Sequence, residues 1–224
     1  MLRSLTRKTI PLVAFGVGLS IFPPEWRKSK LKKRDLMHIN EDVLSQIEAT
    51  DEFKTLSQDP SLTHYFGSEV FPEQHKNNYV ASGLLYGPEL FEIDPLVFLD
   101  SEKRELTGFY YLGNKLISQD GQIHNGIVST LLDEGLCSCG FPLLPSKKGV
   151  TASLSINFKE QAEPDTAVVL RAKVIEAKGR KVVINGYLET LPFDKSKKSK
   201  RIADSVCVLV EPKWFGFFTW FNIF

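Results

Sequence analysis

Apolar and polar residues alternate along the last third of the chain, from residue 150 to residue 210. Alternation with a period of two is typical of strands that bury one face. It predicts four antiparallel strands, two of them joined by a tight hairpin at Lys178-Gly179-Arg180. Two more strands are expected earlier, the first interrupted by Pro95 at an edge or a bulge. The six predicted strands span residues 90–100, 105–112, 150–158, 167–177, 181–191 and 201–210.

A single long apolar helix is predicted between these two groups of strands. It runs from about Asn125 to Cys139, and Gly140 and Pro142 end it. A lone helix cannot supply the crossovers that a parallel sheet requires. We therefore predict an α+β fold in which an antiparallel sheet wraps around one long central helix.

The residues that precede the sheet predict a helical N-terminal extension. Residues 40–56 have helical spacing, with Asn40 as a candidate cap, whereas residues 57–88 are interrupted by glycine and proline. Four parts of the chain are thus expected. They are a targeting and membrane-contact segment (1–35), a helical and irregular extension (36–82), the folded domain (83–212) and an aromatic tail (213–224).

The first 24 residues carry three basic residues and no acidic one, which is typical of a mitochondrial transit segment. The apolar run at 10–22 is shorter than the roughly 20 residues that span a bilayer. The basic cluster at 27–34 favours anionic lipid headgroups. We predict a mitochondrial, membrane-associated protein whose aromatic tail contacts the membrane or packs on the domain or a dimer partner. The open alternatives are a secretory signal and an N-terminal arm that carries no targeting signal.

Composition excludes some partners and sites. The 28 basic residues against 27 acidic ones give no overall field that would attract nucleic acid. An odd count of three cysteines does not describe a disulfide framework, and we interpret them as small buried hydrophobic residues. The histidines lack the spacing of metal ligands and there is no CxxC pair, so no metal site is expected.

The candidate chemistry lies on the central helix. The first N–H groups of a helix have no helical acceptor and sit at the positive end of its dipole, which suits a carbonyl oxygen that gains negative charge. Asp133 lies among leucines within the same helix and can act as a general base or as a nucleophile. The alternatives are a solvated face at Asp133-Glu134 and a purely structural role for His124.

The spacing along the helix also predicts an oligomer. Asn125 and Asp133 are eight residues apart, which separates them by about 12 Å along a helix. One small reacting group cannot contact both, so if both serve one reaction the acid must come from a second copy of the chain. The sequence therefore predicts an isologous dimer with two shared sites.

The segment from His124 to Asp133, together with the strand order, resembles the hotdog-fold thioesterases over about residues 83–210. The similar branch has an HGG-x6-[DN] helix and includes bacterial phenylacetate-pathway thioesterases and human thioesterase superfamily members. The resemblance implies hydrolysis of fatty acyl-CoA to fatty acid and CoA in a homodimer or dimer of dimers. It implies no cofactor, since CoA is part of the substrate.

The resemblance also assigns roles to residues. Asp133 falls on the catalytic carboxylate, the Asn125 amide would polarise the carbonyl, Gly126 would shape the turn, and Thr151 would orient the attacking water. His124 and Ser118 would position these groups. The chain departs from the family pattern at two of these positions. Asn125 replaces a glycine, and Ser118 stands where the family often has Asn or a similar polar residue.

CoA carries phosphates, so the resemblance implies surface cations that bind them. The candidates are Arg180 and Lys181 in the predicted hairpin and the basic loop 195–201, in particular Lys198. Solvated hairpin tips are the alternative interpretation. A non-catalytic hotdog module that binds acyl-CoA or a protein partner at a mitochondrial membrane is the alternative function. A hotdog dehydratase is disfavoured, because it needs a histidine and a carboxylate in one pocket.

Overall fold

Seven antiparallel strands form one sheet in the computed structural model, which describes residues 40–70, 79–194 and 196–215. The predicted transit segment, the basic cluster at 27–34 and most of the aromatic tail lie outside the described residues. The order of the strands across the sheet is β1-β2-β3-β5-β6-β7-β4. The strands are β1 (Thr63–Phe66), β2 (Leu96–Asp100), β3 (Glu105–Leu112), β4 (Val150–Phe158), β5 (Thr166–Lys178), β6 (Lys181–Thr190) and β7 (Arg201–Val210).

The central helix, α3 (Asn125–Gly140), lies against the inner face of this sheet. Its side chains Val128, Leu131, Leu132 and Leu136 are buried there, and two glycines let the helix and the sheet approach closely. A Cβ atom on Gly135 would lie 2.6 Å from a methyl group of Leu170 on β5, and one on Gly186 of β6 would lie 2.7 Å from a methyl group of Leu136 on α3. The predicted α+β fold, a sheet wrapped around one long helix, is confirmed.

The N-terminal extension contains two helices, α1 (Glu41–Ala49) and α2 (Asp51–Ser57). Asn40 caps α1 as predicted, because its side chain accepts a hydrogen bond from the Val43 amide. The prediction of one continuous helix is wrong at Thr50, whose backbone is extended and whose hydroxyl oxygen accepts from the Phe53 amide. A threonine in this conformation ends one helix and caps the next.

These two helices cover part of the outer face of the sheet and form a second apolar core there. Ile47 is fully buried, and the Phe53 ring packs edge-on against the Phe98 ring with centroids 5.4 Å apart. Arg171 on β5 forms ion pairs with Glu52 and Glu189, which join α2 to the sheet. The extension and the sheet therefore pack as one body.

Two strand predictions need correction. Residues 57–88 were expected to be irregular, yet β1 lies within them and pairs with β2. The strand expected from residue 90 begins only at Leu96, because Pro95 has no N–H to donate to a ladder. Strands β3, β4 and β7 have the predicted bounds. Among the described residues, no helix combines the length and the apolar character needed to cross a bilayer.

The edge strand β4 is more exposed than its alternating sequence predicts. It pairs with β7 on one side, and no other described strand pairs with its outer edge. Val150 and Phe158 are 41% and 40% exposed within one chain. A nine-residue strand with an open edge and exposed apolar side chains can pair with a second chain.

Candidate functional site

The start of α3 is organised by His124, which is the N-cap residue. Its Nδ1 atom accepts a hydrogen bond of 2.9 Å from the Gly126 amide, and its carbonyl oxygen accepts one of 2.8 Å from the Ile127 amide. The Asn125 N–H has no acceptor among the described residues. The structural role considered for His124 is confirmed, and this role leaves one helix-end donor available.

Gly126 is required by the same turn. A Cβ atom at this position would lie 2.8 Å from His124 Nδ1, so a larger residue would displace the capping imidazole. The Asn125 side chain is exposed and does not fill the turn. Asn125 therefore preserves the backbone donor at the position where the resemblance implies a glycine.

Ser118 belongs to the turn that leads into α3. Its hydroxyl donates to the Asp120 carboxylate, which also accepts from the Gln122 amide at 3.0 Å and from Gln161 Nε2 at 3.1 Å. The Ser118 and Gln122 hydrogen bonds hold the pKa of Asp120 below its usual range. The structure thus gives Ser118 a partner within the turn.

Asp133 lies two turns farther along α3, on the side that faces β4 and β7. The Thr151 hydroxyl donates to its carboxylate at 2.8 Å, and the Cys137 sulfur lies 3.2 Å from the same hydroxyl oxygen. Because a hydroxyl has only one proton, its oxygen is free to accept from the Cys137 thiol. A hydrogen bond from Cys207 to Cys137 lowers the pKa of the Cys137 thiol. The structure therefore brings together Asp133 and Thr151, as predicted, and adds two thiols.

The next residue along the helix, Glu134, faces a different environment. It lines a cavity of about 40 Å³ together with Tyr65, Tyr79, Tyr110 and apolar residues of β2 and β3. Burial raises the pKa of Glu134 to about 7, against the effect of a hydrogen bond from the Ala81 backbone. Both acidic side chains are partly buried, so the solvated-face interpretation of this segment is wrong.

The Asn125 N–H and the Asp133 carboxylate, which the expected reaction needs at one place, lie apart within one chain. Asn125 and Asp133 occupy the same uninterrupted helix, so about 12 Å of helix separates them along its axis. Asp133 lies beneath β4, since the Thr151 that bonds it belongs to that strand. The geometry thus directs the acid towards the open edge of the sheet.

Comparison with known proteins decides the family. A family model described as the thioesterase superfamily matches residues 120–189, which include α3 with both His124 and Asp133. A mitochondrial protein of Candida albicans (strain WO-1) is 66% identical over 223 residues, which cover 100% of both chains. MIOREX complex component 3 of Saccharomyces cerevisiae is 39% identical over 253 residues, which cover 96% of this chain and 94% of that protein.

The chain belongs to the family of these two fungal relatives, and the protein is mitochondrial. The match to the thioesterase superfamily covers residues 120–189 of the 224. Among solved structures, it is similar to a putative thioesterase, a phenylacetic acid degradation-related protein, from Ralstonia eutropha JMP134. The identity is 18% and the TM-score is 0.44, over 50% of this chain and 80% of that one.

The cations expected to bind the CoA phosphates do not lie together in this chain. Arg180 and Lys181 stand at the turn between β5 and β6, where Arg180 donates to the Glu211 carbonyl oxygen and Lys181 pairs with Glu176. Lys198 is exposed in the loop at the other end of β6, about 30 Å away along that strand. Lys195 lies outside the described residues. One CoA molecule bound to a single chain would therefore contact only one of these two groups.

The two thiols beside Asp133 were not predicted from the sequence. Cys137 lies four residues after Asp133 and hence on the same helix face, a spacing that could have been noticed. Cys207 is 70 residues farther along the chain, and only the position of β7 brings it near. All three cysteines are buried and free, as expected, but two of them adjoin the candidate acid.

Proposed function

We propose that the protein is a fatty acyl-CoA thioesterase of the HGG-type branch, which releases a fatty acid and CoA. Asp133 serves as general base on water or as nucleophile, and the Asn125 N–H stabilises the oxyanion. In the water route, the water oxygen attacks the thioester carbonyl and its proton passes to Asp133. The carbon–sulfur bond then breaks, and the CoA thiolate takes that proton.

The observation that carries this proposal is the unpaired Asn125 amide at the helix start. His124 takes up the next two N–H groups, through its ring and its carbonyl oxygen, and leaves the Asn125 donor for a ligand. A backbone donor that is held rigidly at the positive end of a helix suits a developing oxyanion better than a mobile side chain would.

A homodimer is part of the proposal. Pairing of two copies through the open edges of β4 would extend the sheet and bury Val150 and Phe158, which are exposed in one chain. Asp133 lies under this edge, so the acid of one copy would approach the helix start of the other. Thr151 would stay with Asp133 and orient the water.

The proposal includes contact with a mitochondrial membrane through the N-terminal basic cluster, where long-chain acyl-CoA would collect. It also includes phosphate binding by Lys198 or by Arg180 and Lys181. A second candidate function is a non-catalytic module in a mitochondrial assembly. The observation that favours it is the name of the 39% identical yeast relative, which describes a component of a complex.

A proline at position 125 tests the proposed donor directly. Asn125 is the first residue of α3, where proline fits the helix and removes only an N–H that the helix does not use. His124 has φ −64° and ψ 129°, values that a residue before proline can adopt. We expect Asn125→Pro to lower kcat by about 100-fold or more without loss of stability.

The assay is release of free CoA thiol from acyl-CoAs of graded chain length by the full-length protein, alongside thermal unfolding of each variant. Asn125→Ala, which keeps the N–H, is the matched control and should retain activity within about threefold. Equal rates for the proline and alanine variants would refute the donor role. A wild-type protein that binds CoA esters but releases no thiol would favour the non-catalytic module.

A further inference from the structure

Asp133 shares its surroundings with two buried thiols that the proposed hydrolysis does not use. One carboxylate oxygen of Asp133 and the sulfur atoms of Cys137 and Cys207 all lie within 4.8 Å of one another. Asp133 and Cys137 are one helical turn apart and so project from the same face of α3. Cys207 faces them from β7. Three potential ligands from two rigid elements thus converge on one point.

We propose that Asp133, Cys137 and Cys207 form a binding site for a zinc ion. Two thiolates and one carboxylate are a donor set that zinc accepts, whereas magnesium and calcium prefer oxygen alone. Tetrahedral zinc with normal bond lengths keeps its ligand atoms about 3.3–3.8 Å apart. The ligand atoms, now within 4.8 Å of one another, therefore need to approach by at most about 1.5 Å. Both thiols must ionise, so binding releases two protons to solvent.

The fourth position of the ion would be open towards the surface. Cys207 is fully buried and Cys137 nearly so, but Asp133 is only half-buried and Thr151 is exposed. Zinc would therefore enter past Asp133 and keep one place for water or an external ligand. The Thr151 hydroxyl, 2.8 Å from Asp133 and 3.2 Å from Cys137, is placed to hydrogen-bond that ligand.

Zinc at this site would occupy the carboxylate that the proposed hydrolysis requires. This consequence rests on the proposed function, whereas binding of the ion does not. A carboxylate oxygen that coordinates zinc no longer accepts a proton from water. Zinc would therefore inhibit thioester hydrolysis, and a chelator would restore it.

The test measures metal binding by the full-length, metal-free protein and needs no activity. We expect one equivalent of zinc per chain and no competition from excess magnesium. Cobalt in place of zinc should give a thiolate-to-metal charge-transfer absorption. Cys137→Ser, Cys207→Ser and Asp133→Asn should each weaken zinc binding by at least about 100-fold, because each removes a ligand.

Cys139→Ser is the matched control, because Cys139 is a buried thiol of the same helix whose sulfur instead hydrogen-bonds the Arg104 carbonyl oxygen at 3.6 Å. It should bind zinc like the wild type. Circular dichroism checks the fold of each variant, and the partly buried Asp133→Asn decides the result if a cysteine variant fails to fold. Absence of stoichiometric zinc, or binding that is unchanged in the folded Asp133, Cys137 or Cys207 variants, would overturn the site.

The two proposals can fail separately. A chelator-treated protein that is inert on every acyl-CoA, yet binds one zinc through Cys137 and Cys207, would refute the thioesterase and support the zinc site. An active protein that binds no zinc would refute the zinc site alone. An active wild type that zinc inhibits, with Cys207→Ser active but insensitive to zinc, would support both.

Discussion

The two sides of the central helix carry adjacent acidic residues in opposite settings. Asp133 and Glu134 point about 100° apart around α3. Asp133 meets a hydroxyl and two thiols near the open edge of the sheet. Glu134 meets tyrosines and apolar side chains of β2 and β3 around a small cavity.

This difference shows that two neighbouring residues of one helix can face environments suited to different roles, one to a reaction and the other to packing. On the Asp133 side, the Thr151 hydroxyl hydrogen-bonds Asp133 and lies 3.2 Å from the Cys137 sulfur, and β4 has an open edge for a second chain. On the Glu134 side, burial raises the pKa of the carboxyl to about 7 and also raises the pKa of Tyr110. The first side suits a reaction, whereas the second carries a cost to stability.

Exchange of each carboxylate for its amide should give the largest difference in activity between the two sides. We expect Asp133→Asn to lower kcat for acyl-CoA by about 100-fold or more, since the amide cannot act as base or nucleophile. Glu134→Gln, which has the same chemical change one residue away, should stay within about threefold of the wild type. Both are measured by thiol release with a chelator present. Equal losses in the two variants would mean that the two sides do not differ in function.

The Glu134 side can be tested by the pH dependence of stability. The pKa of this carboxyl rises from its ordinary 4.5 to about 7 on folding, so the folded state holds the proton more tightly than the unfolded state does. The contribution of the protonated Glu134 carboxyl to the stability of the fold is therefore complete below pH 4.5 and is lost as the pH rises through 7. Glu134→Gln should be more stable than the wild type at pH 8, by at most about 3 kcal/mol, and nearly equal to it at pH 4.5.

The measurement is the free energy of unfolding in urea at both pH values, with a chelator in the buffer. Glu102→Gln in the exposed turn between β2 and β3 is the control, and it should show no such difference. A stabilisation of Glu134→Gln that is the same at pH 4.5 and pH 8 would contradict a titration of Glu134.

The sequence predicted the helix and most of the sheet because their patterns are local. The alternation along β4 and the apolar run of α3 that Gly140 ends are each visible within 16 residues or fewer. β1 was missed because four residues are too few to show a period, and its pairing with β2 joins residues 30 to 36 positions apart. The break at Thr50 was missed because spacing alone does not reveal which threonine caps a helix.

Some residues of the candidate site could likewise be predicted from local sequence, whereas others depend on packing between distant parts of the chain. His124, Asn125 and Asp133 could be chosen from one segment, because a helix start and a buried acid are local features. Which of two adjacent acids faces the strand edge depends on the rotation of α3 against the sheet. The approach of Cys207 likewise depends on the packing of β7, and no local pattern encodes either.

The smallest expected difference concerns one hydroxyl on each side of the helix. Thr151→Val removes the donor to Asp133 and should lower kcat about tenfold, which corresponds to about 1.4 kcal/mol in the barrier. Thr151→Ser keeps the hydroxyl and should restore most of the rate. Tyr110→Phe removes a hydroxyl on the Glu134 side and should leave kcat unchanged, because that group does not face the reacting atoms. A loss in Tyr110→Phe that matches the loss in Thr151→Val would show that hydroxyl removal acts through packing on both sides.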